Sequence, residues 1–161
     1  MKRLLILPVL LLTLLVGNPA FSADFQNGVD AYDRGDYATS LREWEPLAEQ
    51  GNAYAQSNLG LMYEKGQVVL QDYKTAVKWY RLAAEQGLAD AQGNLGASYA
   101  FGNGVLKDFV YAHMWGNIAA TNGNELGARL RDDFEKKMTP ADISAAQKLA
   151  RECVRKKYKG C

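Results

Sequence analysis

Four groups of residues in this 161-residue chain have types that could do chemistry. They are the single histidine His113, the cysteines Cys153 and Cys161, the turn Gly102-Asn103-Gly104, and the neighbouring carboxylates Glu43/Glu45 and Asp132/Asp133. A histidine metal site normally needs a second histidine, or cysteines at fixed spacing, and neither accompanies His113. No metal is therefore expected, and no cofactor. In the repeat described below His113 aligns with Leu41 and Val77, which reads as a packed histidine satisfied by a neighbour. Nothing supports a Ser-His-Asp arrangement. Gly102-Asn103-Gly104 follows a helical pattern rather than a strand, and no Gly-Lys-Ser or Gly-Lys-Thr appears, so it reads as a turn between helices and not as a phosphate loop. The paired carboxylates point different ways on a helix, which leaves glycoside cleavage without a foundation.

The cysteines carry more local information. They stand eight apart in "CVRKKYKGC". A straight helix would hold them about 12 Å apart, and a disulfide needs Cα atoms roughly 4.4–6.8 Å apart. A bond therefore requires the helix to stop and the chain to turn back, which Gly160 permits. An even cysteine count in an exported chain suggests one disulfide. A redox-active pair is the rival reading, although such pairs are usually C-x-x-C at a helix N-terminus.

The elements that position these groups are written as a repeat. Residues 36–71 and 72–107 align without a gap, and 17 of the 36 positions are identical. A period of this length points to stacked helix pairs. In the second copy Tyr73, Ala76, Val77, Tyr80, Ala83 and Ala84 fall on one helical face, with Asp72 as N-cap and Gly87 as terminator. The partner helix runs over about 88–101, with Ala91, Leu95 and Tyr99 as its stripe. Gly60 and Gly96 recur inside helices, where glycine costs roughly 1 kcal/mol, so they are expected to admit a close neighbour. Pro46 falls inside a helix and is expected to bend it. After Gly123 the phase is lost. Leu126, Leu130 and Phe134 mark a helix over about 124–138, and "TPAD" opens a last one with Ile143, Ala146, Ala150 and Cys153 on its apolar stripe. Its end gathers Arg151, Arg155, Lys156, Lys157 and Lys159, read as favourable charge at a helix C-terminus or as a patch for an anionic partner.

The blocks "AYAQSNLGLMYEKG", "ADAQGNLGASYAFGNGV" and "DYKTAVKWYRLAAEQG" resemble the Sel-1-like repeat family, a relative of the tetratricopeptide repeat (TPR). The match covers about Asp36 to Gly123. It implies an all-α solenoid of stacked antiparallel helix pairs, about eight helices in total. The expected organisation is a TPR-like hairpin over 23–51, Sel-1-like repeats over 52–123, and capping helices over 124–161. There are departures. Val68 stands where the next copy has Gly104, and the first hairpin, "FQNGVDAYDRGDYATS", lacks the five-residue insertion between its helices. Cysteine-rich members of the family staple successive helices with cysteines eight apart, and Cys153/Cys161 resembles one such staple.

The N-terminus adds a compartment. Lys2 and Arg3 precede an apolar run from Leu4 to Val16, then Gly17-Asn18-Pro19 and "AFSA". This is a signal-peptide pattern for residues 1–22, with a cut after Ser22 that places small Ala20 and Ser22 at the inspected positions. The run is short for a membrane span, and nothing later is apolar enough to be one. A periplasmic or secreted location follows. Removing two of the 19 basic residues leaves 17 against 18 acidic, so no global charge draws the chain to nucleic acid or a membrane.

The remaining candidate is a surface. In helix 52–65 the core stripe is Ala55, Leu59 and Tyr63, and the opposite stripe is Tyr54, Ser57, Leu61 and Glu64. Exposed Tyr54 and Leu61 are more than a solvated face needs. The next copy has Asp90, Gly93, Ala97 and Ala100 there, leaving room for a peptide or for the chain's own final helix. The family resemblance implies a protein-interaction adaptor or scaffold rather than an enzyme, with a protein or peptide partner in the cell envelope; the sequence does not fix the oligomeric state, and a monomer is expected. The alternative, from cysteine-rich relatives, is weak β-lactam binding or hydrolysis.

Overall fold

A computed structural model describes residues 24–67 and 69–161. The predicted signal segment and its cut after Ser22 lie outside them. Among the described residues there are eight α-helices and no strand: α1 (Phe25–Asp33), α2 (Tyr37–Glu49), α3 (Ala53–Lys65), α4 (Tyr73–Ala84), α5 (Ala89–Phe101), α6 (Phe109–Thr121), α7 (Glu125–Glu135) and α8 (Pro140–Arg155).

The period appears first in the caps. Asp36, Asp72 and Asp108 open α2, α4 and α6, each carboxylate accepting from backbone N–H groups of the first turn. These bonds satisfy donors that a helix start otherwise leaves unpaired. α3 and α5 both stop on a left-handed glycine, Gly66 at φ 67° and Gly102 at φ 76°. Gly104 also has positive φ, and a side chain there would strike the backbone of Tyr73. The glycine-rich turn thus serves packing. α8 starts with the predicted Thr139/Asp142 capping box and Pro140 in its first turn. Pro46 lies inside α2 without ending it.

Successive helices pair antiparallel as α1/α2, α3/α4 and α5/α6, while α2 meets α3 and α4 meets α5. Within each pair, a glycine of the first helix faces the second. Gly28 lies against the Trp44 indole, Gly60 against the Tyr80 ring, and Gly96 against the backbone of Ala112 and Gly116. Trp44, Tyr80 and Gly116 are equivalent positions 36 residues apart. The third pair therefore meets backbone to backbone, and α7 presses on its far side through Gly127.

Between pairs the link is a buried amide ladder. Gln56 Nε2 donates to the Ala48 carbonyl at 3.0 Å, and Gln92 Nε2 to the Ala84 carbonyl at 3.2 Å. Each glutamine's oxygen then accepts an amide from the next loop: Gln86 Nε2 on Gln56 and Asn122 Nδ2 on Gln92, both at 2.8 Å. The alanine-glutamine pair of the repeat is thus an inter-pair fastener. Around it, one core gathers Val77, Tyr80, Leu95, Met114, Trp115 and Ile118, and another gathers Trp44, Leu59 and Met62.

α7 packs on α6 and α5, and α8 lies on α6. Beyond Arg155 the chain turns back through Lys157 and Tyr158 at positive φ, and a Cys153–Cys161 disulfide closes the hook with Cα atoms 5.5 Å apart. The hook docks on the α4–α5 and α6–α7 junctions. The Gly160 N–H donates to Glu85 at 3.3 Å, the Tyr158 hydroxyl exchanges hydrogen bonds with the Asn122 amide, and the Tyr158 ring lies beside Gly87.

Candidate interaction surface

The groups with chemical potential are committed to structure. His113 is buried, with Nε2 3.5 Å from Glu135 on α7. Its Nδ1 has no hydrogen-bond partner. Glu43 is also buried and accepts from the Asp24 N–H at 3.1 Å and from Asn27 Nδ2 at 3.3 Å, with Arg42 nearby. It ties the start of α1 to α2, a role its sequence neighbourhood with Glu45 did not reveal. Asp132 pairs with Arg131, and Asp133 with Lys136. No group of three or more His, Cys, Asp or Glu that could hold a metal occurs among the described residues.

The stripe expected on α3 divides. Tyr54 is 61% exposed, and its ring meets Phe25 edge-on at 6.1 Å. Leu61 is half-buried. Ser57 is buried, which removes it from any docking face. Glu64 is half-buried and accepts from the Tyr80 hydroxyl. Burial first, and then the Glu64 carboxylate, push the Tyr80 phenol well above its ordinary range.

In the second copy the space beside Asp90, Gly93 and Ala97 is filled by the chain itself. A Cβ on Gly93 would meet the Asn124 side chain at 2.8 Å, and Asn124 Nδ2 donates to Asp90 at 2.7 Å. Gly93 and Ala100 are buried and Ala97 half-buried. The filler is the start of α7, not the final helix, because α8 went to α6 instead. The open part of the surface is narrower than the stripe. It is a cleft of about 350 Å3 bounded by Tyr54, Ala53, Gln86, Leu88 and Asn122, at the edge where successive pairs join.

Two 36-residue units, each a helix pair with a glycine-capped first helix and an alanine-glutamine fastener, are therefore in place. The Sel1 repeat family matches this chain at residues 53–88 and 89–124. The chain carries two Sel1 repeats. Its structure is similar to that of a protective antigen of uropathogenic Escherichia coli strains displaying an SLR fold, with a TM-score of 0.76 and 31% identity over 81% of this chain and 30% of that one. It is also similar to a Sel1 repeat protein from Oxalobacter formigenes, with a TM-score of 0.58 and 36% identity over 61% and 40% of the two chains. The chain thus spans less than half the length of either. No curated protein matches it. Sel1 repeats are helical-repeat modules for protein interaction, generally non-catalytic scaffolds. Outside them, the α1/α2 hairpin and the α7–α8 hook occupy the two ends of the array.

Proposed function

We propose that this chain is an exported adaptor or scaffold of the cell envelope that binds a protein partner at the α3 edge, around Tyr54 and Leu61. The observation that carries the reading is the 61% exposure of the Tyr54 ring beside a cleft of about 350 Å3. An aromatic with a large contact area and few torsions is a favoured anchor at protein interfaces. The signal-like residues 1–22 and the closed Cys153–Cys161 pair support export, since such bonds persist in oxidising compartments.

The test is cross-linking in cells followed by mass spectrometry, comparing wild type with Tyr54→Ala plus Leu61→Glu. Loss of specific partners from a variant with native circular dichroism supports the site. An unchanged partner set from a folded variant sinks it. Fractionation with N-terminal peptide mapping checks export, and a mature start at Ala23 is expected. Nitrocefin turnover above buffer by purified protein would move the reading to the β-lactam alternative.

A further inference from the structure

A groove of about 610 Å3 lies on α4 and is lined by Lys74, Val77, Lys78, Arg81, Leu82 and Glu85, with Gly104 at its edge. Leu82 is 47% exposed there, and Lys74 and Lys78 are exposed. α4 and α6 are equivalent helices of consecutive repeats, so the fate of this face can be read on α6. Thirty-six residues on, Lys78, Arg81 and Leu82 become Met114, Asn117 and Ile118. On α6 the face is covered. Met114 and Ile118 are buried in one cluster with Ala150 and Cys153 of α8, which offers the small residues Ala146 and Ala150 as its buried seam. The chain thus displays how this side of a second repeat helix receives a further helix, and leaves Lys78 and Leu82, the equivalent positions on α4, exposed.

The two faces differ in charge. Where α6 is apolar, α4 carries Lys74 and Lys78 one turn apart around Val77. Arg81 is already engaged by the Tyr99 hydroxyl at 3.0 Å, and Glu85 by the hook's Gly160 N–H. The positive ends that extend into solvent are therefore the lysines, with Lys78 also feeling the Asp72 carboxylate. A helix fitting here needs small apolar residues over Leu82, and carboxylates beside the lysines. We propose that the α4 groove docks an acidic amphipathic helix of a partner protein, seated on Leu82 beside Lys78, the positions equivalent to the Ile118 and Met114 on which α8 is seated. The proposal rests on the reading of the chain as an interaction module and adds a second surface, separate from Tyr54.

The probe is a synthetic amphipathic peptide, acetylated and amidated, with alanine and leucine on one face and glutamates flanking it. Its twin carries lysine for each glutamate. Fluorescence anisotropy against the full chain is expected to show the acidic peptide binding at least about tenfold more tightly than its twin, with affinity falling as salt screens the pairing. Leu82→Glu is expected to weaken binding about tenfold or more. Lys74→Glu with Lys78→Glu should invert the preference between the twins. Tyr54→Ala with Leu61→Glu should leave it unchanged. Every variant is checked for native melting. Equal binding of the twins, no binding of either, or retention by folded Leu82→Glu overturns the groove. Loss of binding in the Tyr54/Leu61 variant alone does so too, and places the peptide on the α3 edge, leaving the interaction-module reading intact.

Discussion

Alanine at Gly60 and alanine at Gly96 add the same methyl to the same position of consecutive repeats, yet the neighbours differ. At Gly60 the new Cβ lies 2.5 and 2.6 Å from two carbons of the Tyr80 ring, and 3.2 Å from the Ala76 carbonyl. Ordinary carbon contacts sit near 3.5–4.0 Å, so the ring has to move by about 1 Å. Tyr80 is fully buried and its hydroxyl is tied to Glu64, so the ring cannot swing into solvent. At Gly96 the nearest atoms are the Ala112 carbonyl and the Gly116 N at 3.3 Å, and a shift of a few tenths of an ångström suffices. Both substitutions gain about 1 kcal/mol of helix propensity. Overpacking costs roughly 1–3 kcal/mol, toward the upper end at Gly60. Gly60→Ala is therefore expected to destabilise by about 1–2 kcal/mol, and Gly96→Ala to fall within about 0.5 kcal/mol of wild type. Thermal melting resolves this, since 1 kcal/mol moves Tm by about 3 °C in a domain of this size. The clash also predicts coupling: Gly60→Ala should cost less in a Tyr80→Leu background, with an interaction energy of about 1 kcal/mol in a double-mutant cycle. Equal losses at the two glycines, or no coupling to Tyr80, would refute the close-approach account of Gly60.

Reduction of Cys153–Cys161 is expected to lower stability by about 2.5 kcal/mol, from the entropy of closing so short a loop; melting with and without a phosphine reductant checks this, and an unchanged Tm would mean the hook contributes nothing to global stability. Gln92→Leu should cost about 1–3 kcal/mol by stranding the Ala84 and Asn122 groups of the amide ladder, measured by urea unfolding, whereas replacing exposed Gln86 should cost far less. Hydrogen bonds from Thr39 and Thr75 hold the Asp36 and Asp72 carboxyls below the ordinary 3.8. Their folded-state values are depressed, so their stabilisation is complete above the unfolded value and disappears as pH falls through the folded one. The Tm gap between wild type and Asp72→Ala should accordingly be full at pH 7 and close below pH 3.8, and a gap that persists in acid would refute the carboxylate cap.

The repeated part of the fold was legible because each cause is local. Asp72 and Asp108 cap the residues just after them, and Gly66 and Gly102 end helices by their own φ. Gly60 and Gly96 signalled close approach because glycine inside a helix has a cost that only packing repays. The candidate surface was less legible because a helical stripe says which residues share a face, not which neighbour covers it. Ser57 and Gly93 carry the same spacing as Tyr54 and Asp90, yet one is buried and the other sits under Asn124. Covering Gly93 required α7, whose sequence had left the repeat phase, so no alignment could place it. Glu43 was missed for the same reason: its partners Asp24 and Asn27 come from the preceding helix, 19 and 16 residues away. The one available signal was its position beside Trp44, on the buried side of α2.

Positions that agree between the repeats are consumed by the fold, so what the chain does must be carried by positions that disagree. Asp72, Gln92, Leu95 and Gly102 match their counterparts and are caps, fasteners, core and stops. Tyr54 becomes Asp90, and Lys78 and Leu82 become Met114 and Ile118. In the first repeat these side chains are exposed or line open grooves, whereas in the second Met114 and Ile118 are buried against α8 and Asp90 is tied to Asn124 at the start of α7. The disagreement is therefore directional. The second repeat uses these positions to receive the chain's own terminal helices, while the first keeps Tyr54, Lys78 and Leu82 exposed. An array of two repeats has two such faces at each station. With both at the second station given to capping, the first is the one available for the proposed binding. Exchanging Lys78 and Leu82 for methionine and isoleucine should then make α4 as apolar as α6 and, with no α8 to cover it, drive self-association in sedimentation velocity. A monomer under those conditions would show that the charge on α4 is not what keeps this face open.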